Sequence, residues 1–147
     1  MAVTFHPPRG LILMCDFTTG FREPEMVKRR PVIVISPELP GRTGLVTVVP
    51  LSTKRPDPVR DFHLLLNKRA LPQLRHFQER ESWAKCDMIY TVSLQRLNLI
   101  QLGKRGTDGR RQYFKQRLGR ETMAQLYGCV LHGIGLPHLA GEVGAQK

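Results

Sequence analysis

The chain is expected to fold as a mainly β protein with one C-terminal helix, an α+β arrangement in which five or six short strands make a small, strongly curved sheet or barrel. Three observations point there. Short β-branched or alternating apolar runs recur along most of the chain, separated by Pro and Gly. Near the end, Met123, Leu126, Tyr127, Val130, Leu131 and Ile134 recur at helical spacing. The third is size: 147 residues, 41% of them apolar, can bury one core and not two. A single domain is expected, with its core at about 9–136 and the Gly- and Ala-rich 137–147 as a flexible tail.

Taken in order, residues 1–9, with two prolines, form an irregular entry. Gly10 then punctuates the start of a buried strand over 11–17 (LILMCDF). The aperiodic loop 18–28 delivers the chain to Lys28, Arg29 and Arg30, and Pro31 biases Arg30 towards an extended backbone. Two β-branched runs, 32–35 and 45–49, flank a Pro- and Gly-rich segment and predict an antiparallel strand pair. A turn-rich connector at 54–60 leads to a further strand at 61–66 (DFHLLL), and a short helix is expected around 74–80. Residues 83–92 (WAKCDMIYTV) alternate as one strand. Its apolar face carries Ala84, Cys86, Met88, Tyr90 and Val92, and Lys85 and Asp87 project from the other. Ser93 caps a single helical turn at 94–97, a short strand follows at 99–102, and Thr107, Asp108 and Gly109 make a turn. The helix should span 120–133, ended by Gly133, Gly135 and Pro137.

Charge is the sharpest global property. Lys and Arg number 23 against 12 Asp and Glu, a net charge of +11. The excess is spread through the chain, so the folded body itself is basic, which favours a polyanionic partner unless arginine-rich usage is general in the host. Seven of the cations, against the single acid Asp108, fall in the window 104–120, which reads as a solvated loop or a contact to a nucleic-acid backbone. No apolar run approaches the roughly 20 residues of a membrane helix, and 11–15 is too short for a signal-peptide core, so a cytoplasmic protein without a membrane partner is expected. Cys15, Cys86 and Cys129, odd in number and widely spaced, fit reduced thiols.

The predicted strand pair carries the chemistry. In an antiparallel pair, what enters the first strand lies beside what leaves the second, so Lys28, Arg29 and Arg30 should meet Ser52, Thr53 and Lys54 at one sheet end. Cations beside hydroxyls suit a phosphate. The histidines and cysteines make no two-pair ligand pattern and the acids are scattered, so neither a metal site nor a cofactor is expected. Neither a glycine-rich phosphate loop nor a Gly-x-Ser-x-Gly elbow is present, which removes the triphosphate and hydrolase readings. RNA can nonetheless be cut by its own 2′-hydroxyl. The protein need only move protons and stabilise added negative charge, tasks for a guanidinium, a hydroxyl and a carboxylate on one surface. Arg30, Ser52 and the Lys85–Asp87 pair are the groups available, each equally readable alone as a rim charge, a strand-end hydrogen bonder or a surface ion pair.

The segments GLILMCDF, RRPVIVISP, TGLVTVVPLST and CDMIYTVSLQRL resemble, in order, successive sequence blocks of the MazF/PemK family of toxin endoribonucleases, across residues 10–97. The resemblance implies a small SH3-like barrel with added helices, a homodimer, metal-independent cleavage of single-stranded RNA, and neutralisation by a cognate antitoxin in a type II toxin-antitoxin pair. It puts the family's arginine before proline on Arg30, as general acid or phosphorane stabiliser, and its hydroxyl residue on Ser52 with Thr53 beside it. The acid used by some members falls on Asp87, with Lys85 two positions earlier. Arg22, Lys28, Arg29, Lys54, Arg55 and Lys85 are then the expected RNA-binding cations. This chain also departs from the pattern. Many members have a compact His-Glu-Gln-Gly type loop before Arg-Pro, whereas 21–29 here is longer and lacks histidine, leaving Arg22 and Glu23 as the nearest candidates for its role. Ser52 keeps the hydroxyl of the usual threonine, and Lys85, where some members have arginine, loses bidentate phosphate contact. Two alternatives stay open: a gyrase-poisoning toxin of similar fold, and a non-catalytic SH3-like nucleic-acid-binding module.

Overall fold

Arg29 to Ser52 make the centre of the sheet, as the β-branched runs require. In the computed structural model, which describes residues 1–141 and all their side chains but that of Lys104, the strands are β1 (Ile12–Asp16), β2 (Arg29–Val34), β3 (Leu45–Ser52), β4 (His63–Leu65), β5 (Trp83–Lys85), β6 (Tyr90–Ser93), β7 (Leu97–Asn98), β8 (Gln101–Arg105) and β9 (Arg111–Tyr113). The helices are α1 (Arg75–Gln78) and α2 (Arg120–Gly133). Single 3-10 turns lie at Lys68–Ala70, Leu94–Arg96 and Pro137–Leu139. Ser93 caps the second of these as expected, its Oγ accepting from Gln95 N at 3.1 Å.

The main sheet runs β4-β5-β3-β2-β1-β7, all neighbours antiparallel, and β6 shares the outer edge of β3 with β5. The long β3 is what curves it. Its first half pairs with β6 (Leu45 to Val48) and its last two residues with β5 (Leu51, Ser52), so one strand serves two diverging ribbons. Fold class and C-terminal helix are as the sequence predicts. The barrel is not closed: among the described residues the strand path ends at β4 and β7 without joining.

The core is enclosed by this curved sheet together with Phe17, Leu71, Phe114 and Leu118 from the connecting segments and Phe77 from α1, and α2 packs against it through Leu126. Ile12, Leu13, Val32, Ile33, Val46 and Val48 are sealed from solvent, and Leu126 is the α2 residue buried completely. Tyr127 stays half-buried because its hydroxyl donates to the Ile35 carbonyl at 2.5 Å. The helical stripe read from the sequence is only partly used, since Ile134 is 53% exposed beyond the end of α2. The expected tail opens with the Pro137–Leu139 turn, and its part at 142–147 lies outside the described residues.

Two strand expectations fail. The single strand over 83–92 is two strands separated by a turn, with Met88 N donating to Lys85 O at 3.0 Å. The cause is the β3 edge: β5 and β6 pair with it in different registers, and the surplus chain between them is thrown out of the sheet. Lys85 and Asp87 therefore do not share a strand face. The strand expected at 99–102 is not formed as such: Leu99 and Ile100 link β7 to β8, which begins at Gln101 and whose hairpin with β9 stands apart from the main sheet. Its turn is built by Gly109 at φ 76° and by Asp108 Oδ1 accepting from Arg110 N at 2.9 Å.

Candidate active site

The β2–β3 register positions the first two functional groups. Val32 stands opposite Pro50, and continuing the ladder by two residues sets Arg30 opposite Ser52. On its other side Arg30 pairs with Cys15 of β1, so its backbone is fixed from both flanks. Arg30 and Ser52 line one pocket of about 170 Å³, together with Arg29, Thr53, His76 and Ser82. Within it the Arg30 Nε is buried and has no hydrogen-bond partner. A buried donor without an acceptor costs on the order of 1–3 kcal/mol, more for a charged group, until a ligand supplies one. The Ser52 Oγ accepts from Lys54 N at 3.2 Å, which leaves its own proton free to donate into the pocket.

Two further hollows adjoin the first. One, of about 440 Å³, is lined by Ser52, Lys54, Arg55, Arg60, His63 and Lys85. The other, of about 550 Å³, is lined by Thr53, Arg75, His76, Glu79 and Arg80. Ser52 belongs to the first two, and Thr53 and His76 to the first and third, so the end of β3 lies in a continuous track with cations along it. Arg55 is held in that track over the Trp83 ring at 5.3 Å.

The remaining sequence candidates are placed less favourably. Arg29 reaches the pocket but also lies 3.7 Å from Asp16. Hydrogen bonds from Thr18 and the Arg29 charge hold the Asp16 carboxyl below its ordinary value, so Asp16 stays an anion and occupies part of Arg29. Lys28 and Arg22 are exposed on the loop before β2 and line none of the three hollows. That histidine-free loop is organised by aromatic packing: Phe17 and Phe21 meet edge to face at 5.0 Å, Arg96 covers Phe21 at 4.7 Å, and the Tyr90 hydroxyl accepts from Met26 N at 3.0 Å.

Asp87 sits in the turn after β5 and lines none of these hollows. Its position is set by Gly133 of α2, where a Cβ would lie 2.7 Å from Cys86 O and 2.9 Å from the Asp87 Cα. Its charge acts on His63. Burial lowers the pKa of His63, Asp87 works in the opposite sense, and Lys85 and Arg60 lower it further. The His63 Nδ1 is already engaged, accepting from Arg60 N at 2.9 Å. Beneath the same turn the Cys86 and Cys129 thiols hydrogen-bond each other. That bond and burial push Cys86 up, whereas the same bond favours the Cys129 thiolate.

Sequence reasoning missed His76, Arg75, Arg80, Arg60 and His63. Arg75 and His76 come from the four-residue α1, Arg80 from the segment just after it, Arg60 from the turn-rich connector and His63 from the first position of the short β4, none of which has a long periodic pattern to aim its side chains.

The model of the PemK-like, MazF-like toxin of type II toxin-antitoxin system matches residues 8–130. The chain belongs to this family. Among similar proteins, the Escherichia coli (strain K12) protein YifN is 32% identical over 151 residues, covering 91% of this chain and 95% of that protein. The crystal structure of MazF (Form-I) from Deinococcus radiodurans superposes with a TM-score of 0.60 at 18% identity, covering 89% of this chain and 98% of that one. An endoribonuclease in complex with its cognate antitoxin, from a mycobacterial species, gives a TM-score of 0.58 at 19% identity over 90% and 98% of the two chains. At such identities the two likenesses speak for a shared fold. No helix among the described residues is long and apolar enough to cross a membrane.

Proposed function

We propose that this family member is the toxin of its pair and acts as an endoribonuclease on single-stranded RNA, with the scissile phosphate bound between Arg30 and Ser52. The observation that carries this is the buried, unpartnered Arg30 Nε in a pocket shared with Ser52 and Thr53. A guanidinium that lacks an acceptor is set up for an oxyanion. In the reaction the ribose 2′-oxygen attacks phosphorus, the phosphorane carries extra negative charge, and the 5′-oxygen leaves, giving a 2′,3′-cyclic phosphate and a 5′-hydroxyl. Arg30 stabilises the phosphorane and the Ser52 and Thr53 hydroxyls donate to its equatorial oxygens. Lys54, Arg55 and Lys85 hold a neighbouring phosphate in the adjoining hollow. Arg29 supports the scissile group from the pocket edge, while Lys28 and Arg22 add general attraction. Asp87 acts at a distance, through the charge balance around His63 and Lys85.

The cytoplasm is the proposed compartment and a homodimer the working form, in keeping with the family. A cognate antitoxin is the proposed protein partner, supported by the mycobacterial endoribonuclease of the same fold that is complexed with one.

Incubation of purified protein with single-stranded RNA in EDTA, followed by end analysis, tests the activity. Cyclic phosphate ends that Arg30→Ala abolishes are expected. Intact RNA bound in a salt-sensitive way would make the protein a non-catalytic module instead, and a trapped gyrase–DNA complex would make it a gyrase poison.

A further inference from the structure

The pocket that holds Arg30 and Ser52 lacks one component that 2′-hydroxyl attack requires, a group able to accept a proton near neutral pH. Arginine remains protonated in proteins and serine and threonine hydroxyls are poor bases. Asp87 lies outside the pocket, and the loop before β2 has no histidine. Besides its two arginines, the titratable side chain lining the pocket is His76.

We propose that His76 is the general base of this enzyme, supplied from α1 in place of a loop histidine; the proposal rests on the endoribonuclease reading. The local structure aims it. Phe77, 2% exposed, plugs α1 into the core, and the His76 ring packs against it at 4.4 Å with planes 41° apart. Gln78 Nε2 ties the same helix back to Lys68 O at 2.9 Å and Pro72 O at 3.2 Å, and Arg75 pairs with Glu79 at 2.9 Å. The imidazole is thus carried on an anchored turn at the junction of two hollows, one containing Arg30 and Ser52, the other Arg75, Glu79 and Arg80. Arg29 and Arg30 of β2, with Arg75, Glu79 and Arg80 around α1, are the charges that face it. Cations outnumber the single carboxylate among them.

In the step, the O2′–H bond breaks as O2′–P forms and the proton passes to an imidazole nitrogen of His76. The P–O5′ bond then breaks, the 5′-oxygen takes a proton from water, and the imidazolium returns its proton to the hydroxide left behind. His63 is the other histidine of the track, and it serves a different purpose, since its Nδ1 is occupied by Arg60 N and it lines the hollow on the far side of Ser52.

The test measures single-turnover cleavage of single-stranded RNA in EDTA across pH for wild type, His76→Ala and His76→Gln. RNA affinity is measured separately with an oligonucleotide carrying 2′-deoxyribose at the cleavage site. The expected result for both variants is a rate loss of about 100-fold, disappearance of the limb on which the rate rises with pH, and partial recovery of His76→Ala by added imidazole. Affinity for the uncleavable oligonucleotide should change less than about threefold, and thermal melts should report a folded protein. A His76→Ala enzyme with the wild-type rate and pH profile overturns the proposal, as does one whose whole defect lies in affinity and vanishes at saturating RNA. Wild type that cleaves no RNA overturns the endoribonuclease reading itself, and the proposal with it.

Discussion

Ser52 separates two hollows that contain the same residue types and are built for different work. On one side, Arg30, Ser52, Thr53 and His76 surround a tight pocket in which a guanidinium nitrogen lacks an acceptor. On the other, Lys54, Arg55, Arg60 and Lys85 line a wider hollow whose histidine is already bonded to backbone and whose pKa is depressed by burial. Cations alone therefore do not make a reactive site. What distinguishes the first hollow is an unsatisfied buried donor beside a free hydroxyl proton and a pocket-lining imidazole, whereas in the second the histidine Nδ1 is engaged and Arg55 lies over Trp83, which suits it to holding a phosphate.

The sharpest way to break this contrast is at Arg30. Arg30→Ala should lower the cleavage rate on the order of 10²–10³-fold, the usual cost of one oxyanion-stabilising donor, read by single-turnover kinetics. Arg30→Lys keeps the charge and loses the planar fork, and a normal rate in it would show that charge alone suffices. Next in size is Gly133→Ala, in which a Cβ must displace the backbone of Cys86 and Asp87. A loss of about 1–3 kcal/mol is expected in urea melts, with RNA affinity weakened more than the chemical step, because the turn it disturbs follows Lys85 on the binding side. Equal damage to both would contradict the division of labour.

A smaller effect is expected at Lys85 itself. Lys85→Ala should raise KM by about tenfold or less while leaving kcat within a factor of about two, and should reduce the slope of log affinity against log salt by about one. A kcat loss matching that of Arg30→Ala would put Lys85 in the chemistry. The smallest effect is spectroscopic. By NMR, His63 should titrate below its ordinary value, and Asp87→Asn, which removes the one influence that raises it, should move it lower still. The sign for stability follows: the folded protein disfavours protonated His63, so the stabilisation is present above the unfolded histidine value and is lost as pH falls through the lowered folded one. A His63 that titrates higher in Asp87→Asn would mean that Asp87 does not reach it.

How much of this was legible in the residues follows from what each pattern constrains. The β2–β3 pairing could be read because two β-branched runs around a Pro- and Gly-rich loop allow few other partners, and Arg30 opposite Ser52 follows from antiparallel geometry. The long helix was legible for a similar reason, through a repeat over fourteen residues. The break at 86–87 was not, because a period-two pattern reads the same whether a strand continues or turns between buried positions on either side. Asp87, expected beside Lys85 on one strand face, consequently lies in the turn after β5 instead. His76 was invisible for a different cause: it projects from a helix of four residues with no side-chain cap, and its direction is fixed by tertiary contacts, Phe77 in the core and Gln78 tied to Lys68 and Pro72, that no local pattern shows.

One further consequence concerns Cys15, the ladder partner of Arg30 in β1. Burial pushes its thiol up to about 12, so it remains neutral beneath the pocket, and no Asp or Glu lines the pocket above it. The fold thus sets the buried Arg30 Nε in a pocket lined by no acidic side chain. An anion that enters is then a folding ligand as well as a candidate substrate, because whatever binds the native state and not the unfolded chain shifts unfolding by mass action, about 2.7 kcal/mol at a hundred times its dissociation constant. Melting temperature should climb with the concentration of an uncleavable oligonucleotide, and Arg30→Ala should be both the weaker binder and, in the absence of any ligand, the protein relieved of an orphaned donor.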